Sequence, residues 1–383
     1  KTAIRRFTTM EKLNHLTTPA DLSRPSNTIA DLGELALIEK LKPFCADGAI
    51  GDDAALMNTR PNHSLVVTTD MLTENVHFSG RTTPPYSVGW RAAAANLADI
   101  AAMGATPLGV TVGLGLPGHT PLTWVEELYR GMTDCLSAYG GAIVGGDLCR
   151  SIQRTISITA LGEVPPAQTI RRCTAVPGMT VVVTGPHGAS RAGLALLLEE
   201  LELSTNLGPQ SLSPQSLSPQ STDVPVVGLL GHAKAWIKAH QMPVPRFDAL
   251  KDLRRLIQQF VQETGQDVYP IVTGMDSSDG LANALLQISS SSRVGMDIVR
   301  SDIPLPVGLS AAVGYETALK WALHGGEDFE LVMCLPPALA EEFTKTRFAI
   351  AIGKTTDTGV VRLLPSKDSK IGAQIKHESY QHF

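Results

Sequence analysis

Apolar residues along this chain repeat with two spacings, one typical of helices and one of strands. Helical spacing predicts helices over 32–42, 87–103, 121–139, 189–201 and 281–288. Short apolar runs predict buried strands over 64–70, 107–116, 141–146, 177–185 and 329–333. Residues 156–162 alternate Ile with Thr or Ser, which predicts a strand with one wet face. The pattern therefore predicts an α/β (α+β) fold.

Breaks in the apolar pattern indicate boundaries between segments of the chain. Its 383 residues are enough for two domains. We expect a flexible arm over 1–30, an N-terminal domain over 31–165 and a C-terminal α/β domain over 166–383. The five-residue unit Ser-Leu-Ser-Pro-Gln occurs twice in succession from Ser211. Because this stretch has few apolar residues to pack, we predict a disordered insertion over 204–224.

Composition narrows the functional classes. The chain is 43% hydrophobic with a net charge of −5, which argues against a nucleic-acid surface. No apolar run reaches the roughly 18 residues of a membrane span, and residues 1–30 lack the apolar core of a signal peptide. The five cysteines form no Cys-x-x-Cys pair, so neither a zinc site nor a disulfide framework is indicated. We expect a cytoplasmic protein.

Acidic residues carry the candidate chemistry. Only 18% of the chain is charged, so acids in apolar settings are costly unless a cation meets them. Eight aspartates follow glycine turns or end apolar runs: Asp52, Asp53, Asp70, Asp99, Asp147, Asp276, Asp279 and Asp328. Clustered carboxylates bind Mg²⁺, and glycines let the backbone approach a phosphate. Since no Walker P-loop or protein-kinase loop set is present, carboxylates and Mg²⁺ would replace the P-loop lysine in phosphoryl transfer.

Several of these motifs also have a structural interpretation. Gly51-Asp52-Asp53 can be a turn, and helix N-capping alone would explain one Asp of Asp276-Ser-Ser-Asp279. Asp99 can be an exposed helical acid, although its Ala-rich helix favours close packing. Gly145 and Gly146 after a buried strand would allow positive φ and a phosphate contact, or a simple turn.

Basic residues are as ambiguous. Arg171 and Arg172 can clamp phosphates or lie in a solvated turn, and His77 can be structural. Thr68 and Thr69, before Asp70, can offer oxygen atoms to Mg²⁺.

Taken in order, the motifs resemble those of the thiamine-monophosphate kinases, in the aminoimidazole-ribonucleotide synthetase-like superfamily. The resemblance covers about residues 31–383 and departs from the family in the arm, in the insertion and at Ser277, where an apolar residue is expected. Its motifs are Gly51-Asp-Asp-Ala-Ala, Thr69-Asp-Met-Leu, Val76-His-Phe, Asn96-Leu-Ala-Asp, Gly145-Gly-Asp, Arg172, Ala175-Val-Pro-Gly, Ser278-Asp-Gly-Leu, Gly325-Gly-Glu-Asp-Phe-Glu-Leu and Tyr380-Gln-His-Phe.

The resemblance implies a two-domain fold whose N-terminal domain pairs with its copy in a homodimer, and a site for ATP and several Mg²⁺ ions. By position, the implied metal ligands are Asp53, Thr68, Thr69, Asp70, Asp99, Asp147, Asp276 and Asp279, of which Asp147 and Asp279 would act in catalysis. The implied ATP contacts are Tyr129, Gly146, Asp147, Arg172 and Ser278, and the implied contacts to thiamine monophosphate are His77, Glu327 and Tyr380.

The activity implied is direct in-line transfer of the ATP γ-phosphoryl group to thiamine monophosphate, which gives thiamine diphosphate. Another ATP-dependent synthetase of the superfamily is one alternative. Selenophosphate synthetases carry a reactive Cys and a Lys near the N-terminus, and Cys45 lacks that setting. The second alternative is a non-catalytic protein that binds Mg-nucleotide, but a scaffold protein would not need so many acids.

Overall fold

The computed structural model describes residues 28–48, 54–201, 226–265, 269–369 and 371–376. Asp52, Asp53, Tyr380, most of the predicted arm and the predicted insertion lie outside the described residues. The helices are α1 Ile29–Leu32, α2 Glu34–Leu41, α3 Pro85–Ala102, α4 Leu122–Tyr139, α5 Ala189–Leu197, α6 Val226–Gln241, α7 Phe247–Thr264, α8 Leu281–Ser292, α9 Leu309–Val313, α10 Tyr315–His324 and α11 Pro337–Thr344. The strands are β1 Ser64–Thr73, β2 Thr106–Leu116, β3 Ile143–Arg150, β4 Thr155–Val164, β5 Thr180–Val183, β6 Thr273–Asp276, β7 Gly295–Val299, β8 Leu331–Leu335, β9 Ile350–Thr356, β10 Val361–Leu364 and β11 Ala373–Gln374.

The first sheet has four strands in the order β1-β4-β2-β3, and β2 and β3 run parallel. Successive residues of a strand point to opposite faces. One face packs against α3, with Ile156 and Ile158 of β4 buried in the core. On the outer face, Leu65, Val67 and Met71 of β1 remain more than half exposed. The strand predicted over 64–70 is therefore present within β1, but the expectation that it is buried was wrong, because only one face of β1 is covered.

Helices α3 and α4 pack unusually closely because each has a glycine at their contact. A Cβ built on Gly89 of α3 would lie 1.8 Å from the carbonyl oxygen of Leu128, and one on Gly131 of α4 would lie 1.9 Å from that of Tyr86. The alanine run of α3 is buried on the same contact and against the sheet. Both helices begin and end within two residues of their predicted bounds.

The second sheet has seven strands in the order β11-β10-β7-β9-β5-β8-β6, mostly antiparallel. Its central strands β5 and β8 consist of buried Val, Leu, Met and Cys residues, apart from the partly buried Thr180 that opens β5. Helices α7 and α11 cover one side of this sheet and α8 and α10 contribute to the core on the other. The fold is thus mixed α and β, as predicted, and antiparallel pairing dominates this sheet.

Two further predictions need correction. The helix expected over 32–42 is interrupted at Gly33, whose φ of 82° lies in the left-handed region and ends α1 before α2 begins. The strand expected over 141–146 continues to Arg150. In the described part of the chain, no helix combines the length and the apolar character needed to cross a membrane.

Candidate active site

Four of the predicted acidic metal ligands lie close together where the two sheets meet: Asp70 of β1, Asp99 of α3, Asp276 at the end of β6 and Asp279 before α8. Burial, and then the charges of Asp99 and Asp279, raise the pKa of Asp70 to about 6. Burial raises the pKa of Asp276 to about 7, and Asp99, Asp70 and Asp279 add to that rise. Without a cation, these carboxylates repel one another.

Asp276 provides the clearest test of whether a cation fits. Its side chain is 4% exposed, and its Oδ2 is fully buried without a hydrogen-bond partner. Its Oδ1 accepts a hydrogen bond from the Ser278 hydroxyl at 3.2 Å. A buried carboxylate oxygen without a partner carries a large desolvation cost. A divalent cation beside Oδ2 would remove that cost, so the donor set fits Mg²⁺.

Neighbouring groups hold the other acids in place. The Thr68 hydroxyl donates to Asp99 Oδ2 at 2.5 Å, and the Asn283 amide donates to Asp279 Oδ2 at 3.2 Å. Asn96 of α3 accepts the backbone N–H of Asp70 at 3.1 Å. Within the residues that the structure describes, no three His, Cys, Asp or Glu side chains converge on one ion position.

Arg172 adds a positive charge at the edge of this cluster. Burial raises the pKa of Asp99 above its ordinary range, and the hydrogen bond from Thr68 and then the charge of Arg172 act against that rise. The guanidinium is exposed and donates to Gln287 of α8. An exposed arginine beside an acid cluster is able to reach a phosphate.

Asp147 lies elsewhere on the first sheet. Strand register aligns Met71 of β1, Ser157 of β4, Gly113 of β2 and Asp147 of β3, which places Asp147 on the outer face, away from α3. The same face carries Thr69, whose hydroxyl lies 2.9 Å from that of Thr159. Within one chain, Thr69 and Asp147 are therefore separated from the cluster of Asp70, Asp99, Asp276 and Asp279.

The glycines before Asp147 have a different backbone conformation from the one predicted. Neither Gly145 nor Gly146 has positive φ, and both lie inside β3. A Cβ on Gly146 would lie 2.2 Å from the Val112 carbonyl oxygen of β2. The expectation of positive φ was wrong, because close strand pairing explains the need for glycine at this position. Tyr129 is 5% exposed and packs against Phe44.

A second polar cluster lies around Glu327, in the loop from α10 to β8. The backbone N–H of Glu327 donates to the Ser278 carbonyl at 2.6 Å, which joins this loop to the acid cluster. Glu327 and Phe329 have φ of 58° and 52°, rare for residues with side chains and common at functional sites. Burial favours the neutral acid, but the charge of Arg91 and its hydrogen bond lower the pKa of Glu327 below its ordinary value.

Arg91 and His240 were not predicted. Arg91 of α3 is 2% exposed and donates to Glu327 Oε1. Its other terminal nitrogen donates to the His240 carbonyl of α6 at 2.9 Å. One signal for Arg91 was present in the sequence, since a single arginine in an alanine-rich helix needs a counter-charge if buried. Nothing in the sequence around His240 indicates its contacts.

Asp328 and Ser277 have structural partners in the same region. Asp328 accepts the backbone N–H of Gly188 at 2.7 Å and of Ser190 at 3.0 Å, so it caps the start of α5. Ser277, where an apolar residue was expected, is buried with its hydroxyl 3.1 Å from His187 Nε2. Burial lowers the pKa of His187 to about 4, so the ring is neutral and accepts the Ser277 hydrogen.

Comparison with known proteins agrees with this fold. The family model described as AIR synthase related protein, N-terminal domain, matches residues 51–164. The solved structure of hydrogenase maturation protein HypE from E. coli superposes with a TM-score of 0.64 over 90% of this chain and 98% of that chain at 18% identity, which shows a common fold. The chain thus has the AIR synthase-like architecture.

Closer relatives define the family. Thiamine-monophosphate kinase of Synechococcus elongatus is 40% identical over 358 residues, 93% of this chain and 98% of that protein. The crystal structure of thiamine-monophosphate kinase from Stenotrophomonas maltophilia has a TM-score of 0.69 at 28% identity, over 87% of this chain and 96% of that one. AaThiL complexed with AMPPCP and TMP has a TM-score of 0.62 at 28% identity, over 92% and 99%. The chain belongs to the thiamine-monophosphate kinase family.

Proposed function

We propose that this protein transfers the γ-phosphoryl group of ATP to thiamine monophosphate and so forms thiamine diphosphate. The observation that carries the proposal is the acid cluster with the unpartnered Oδ2 of Asp276, beside the Glu327 loop. Family membership supports the same reaction, because AaThiL was solved with thiamine monophosphate and an ATP analogue together. A site that takes both ligands brings donor and acceptor phosphates together.

Charge repulsion is the main obstacle to this reaction. The acceptor phosphate oxygen is ionised near neutral pH, so no strong general base is required. Two unit charges about 4 Å apart repel by roughly 4 kcal/mol at an effective dielectric of 20. Mg²⁺ held by Asp70, Asp99, Asp276 and Asp279 would supply the positive charge that offsets this repulsion. Arg172 would bind a phosphate of ATP, and Ser278 would hold Asp276 in place.

We also propose a homodimer formed through the outer face of the first sheet. Leu65, Val67 and Met71 form an exposed apolar strip there, and such strips mark protein interfaces. Asp147 and Thr69 share this face, so pairing would place them at the interface. All five cysteines are free, which fits a reducing cytoplasm.

Product analysis tests the proposed reaction. Purified protein with ATP, Mg²⁺ and thiamine monophosphate is expected to release equal amounts of ADP and thiamine diphosphate. Asp99→Asn removes one cluster acid and is expected to lower kcat by at least tenfold. Asp357→Asn, an exposed acid in the turn after β9, serves as the matched control and is expected to keep full activity. Retained ATP binding with no thiamine diphosphate would instead favour another member of the superfamily.

A further inference from the structure

The Glu327 side chain is held by residues from both halves of the molecule. Arg91, from α3 of the first half, donates to Oε1, and His240, from α6 of the second, accepts Arg91 on its carbonyl oxygen. Both residues are at most 3% exposed, whereas the Glu327 side chain is 34% exposed. The buried side chains of Arg91 and His240 thus support Glu327, whose side chain is partly exposed to solvent.

The protonation state of His240 keeps this cluster balanced. Its ring nitrogens lie 3.2 and 3.1 Å from an Arg91 nitrogen, and Nδ1 lies 3.1 Å from the Ser190 hydroxyl. Burial, and then the charge of Arg91, lower the pKa of His240 to about 3. The ring is therefore neutral, and one positive charge faces one negative charge. Oε2 of Glu327 lies 3.8 Å from Nδ1, beyond hydrogen-bonding distance, and the Glu327 side chain is 34% exposed, so a ligand is able to reach the carboxylate.

The position of this oxygen relative to the acid cluster suggests what it binds. Arg91 and Asp99 are eight residues apart on α3, about 12 Å along the axis. Positions i, i+4 and i+8 lie along one side of a helix, and Ala95 between them packs against Phe329. A carboxylate repels a phosphate but attracts an amine or a cationic ring. The aminopyrimidine and thiazolium of thiamine monophosphate are of that kind.

Resting on the proposed function, we propose that Arg91 and His240 are positioning residues, which fix Glu327 to bind the ring end of thiamine monophosphate while its phosphate lies at the acid cluster. Neither residue touches the substrate in this arrangement. Their loss leaves Glu327 in its loop but free to change rotamer, so substrate binding weakens while the ATP site keeps its groups.

Steady-state kinetics separate this role from a general structural one. His240→Ala is expected to raise KM for thiamine monophosphate about tenfold, the size expected for disturbing a hydrogen bond to a charged group. KM for ATP and kcat are expected to stay within about twofold. His240→Gln, which is able to hydrogen-bond Ser190 and Arg91, is expected to restore part of the loss. Arg91→Lys is expected to act like His240→Ala, because one ammonium cannot reach both Glu327 and the His240 carbonyl.

A double-mutant comparison supplies the decisive control. In a Glu327→Gln background, His240→Ala is expected to change KM for thiamine monophosphate less than twofold further, because its target is already lost. Arg362→Gln breaks a part-buried Arg–Asp297 pair in the second sheet and is expected to leave all three constants unchanged. Equal rises in both KM values, or multiplying effects in the double variant, would overturn the inference.

Failure of the two proposals can be told apart. If the wild-type protein makes no thiamine diphosphate, the proposed function itself is wrong. If the wild type is active and His240→Ala has unchanged KM for thiamine monophosphate, only the positioning role is refuted. Should Arg91→Lys fail to fold, His240→Ala, at a side chain that supports no strand, still decides the question.

Discussion

Replacing Asp276 by Asn is expected to stabilise the metal-free protein while it abolishes activity. Asp276 is buried beside three other acids, and its pKa rises from an ordinary 3.8 to about 7. An acid whose pKa is raised by folding binds its proton more tightly in the folded state, so its contribution to stability decreases as pH rises. Asn has the same shape, still accepts the Ser278 hydroxyl and carries no charge.

The size of the effect follows from the pKa change. One pKa unit corresponds to about 1.4 kcal/mol, so ionised Asp276 costs the fold up to about 4 kcal/mol at pH 8. At pH 5 the folded protein keeps the proton, and the cost is only about 2 kcal/mol, because pH 5 lies about one unit above the unfolded pKa. The advantage of Asp276→Asn should therefore be about twice as large at pH 8 as at pH 5.

Urea denaturation in EDTA at pH 5 and pH 8 measures this advantage. Asp357→Asn is the matched control, expected to change stability by less than about 0.5 kcal/mol at both pH values. With excess Mg²⁺ at pH 8 the wild type is expected to gain stability by mass action, and Asp276→Asn is expected to gain much less. An advantage independent of pH, or a less stable variant at pH 8, would refute the reasoning.

Two further predictions concern stability. Gly131→Ala is expected to lower the unfolding free energy by about 1–3 kcal/mol, because its Cβ would meet the Tyr86 carbonyl. The control is Gly231→Ala, in α6 with open space around it, which should be neutral or stabilising by up to about 1 kcal/mol in the same urea titration. Folding lowers the pKa of His187 from 6.5 to about 4, so the contribution of His187 to the unfolding free energy is present above pH 6.5 and is lost as pH falls to 4. Between these pH values the unfolding free energy of His187→Gln should fall by up to about 3 kcal/mol less than that of the wild type. Parallel curves of unfolding free energy against pH for the two proteins would contradict this prediction.

The sequence predicted those parts of the fold that depend on local pattern. Helices α3 and α4 matched their predicted bounds closely, because their apolar spacing is sustained over eighteen residues each. The importance of Asp70, Asp99, Asp276 and Asp279 was also predictable, since each is an acid at the end of an apolar run or beside a glycine turn. The exposure of β1 was not predictable, because β1 has apolar residues on both faces and only tertiary packing decides which face is covered.

The contacts around Glu327 depend on pairings far apart in sequence. Arg91 meets Glu327 across 236 positions and His240 across 149. No local pattern encodes such contacts, and a lone histidine on a helix gives no signal of its partner. The environment of the two faces of the first sheet could not be predicted from the sequence for a related reason. Gly145 and Gly146 suggested a turn, whereas both lie inside β3 and the missing side chain of Gly146 serves close strand pairing.

The close crossing of α3 and α4 gives Gly131 an influence on chemistry that it never touches. Gly89, Arg91 and Asp99 belong to one continuous helix, so a methyl group that pushes α3 away from α4 displaces both ends of the site together. Substitutions on α4 should therefore mimic active-site lesions, with weaker substrate binding and slower turnover but an intact set of ligands. In a mutational survey, such a glycine would score as functional although it works only as a spacer.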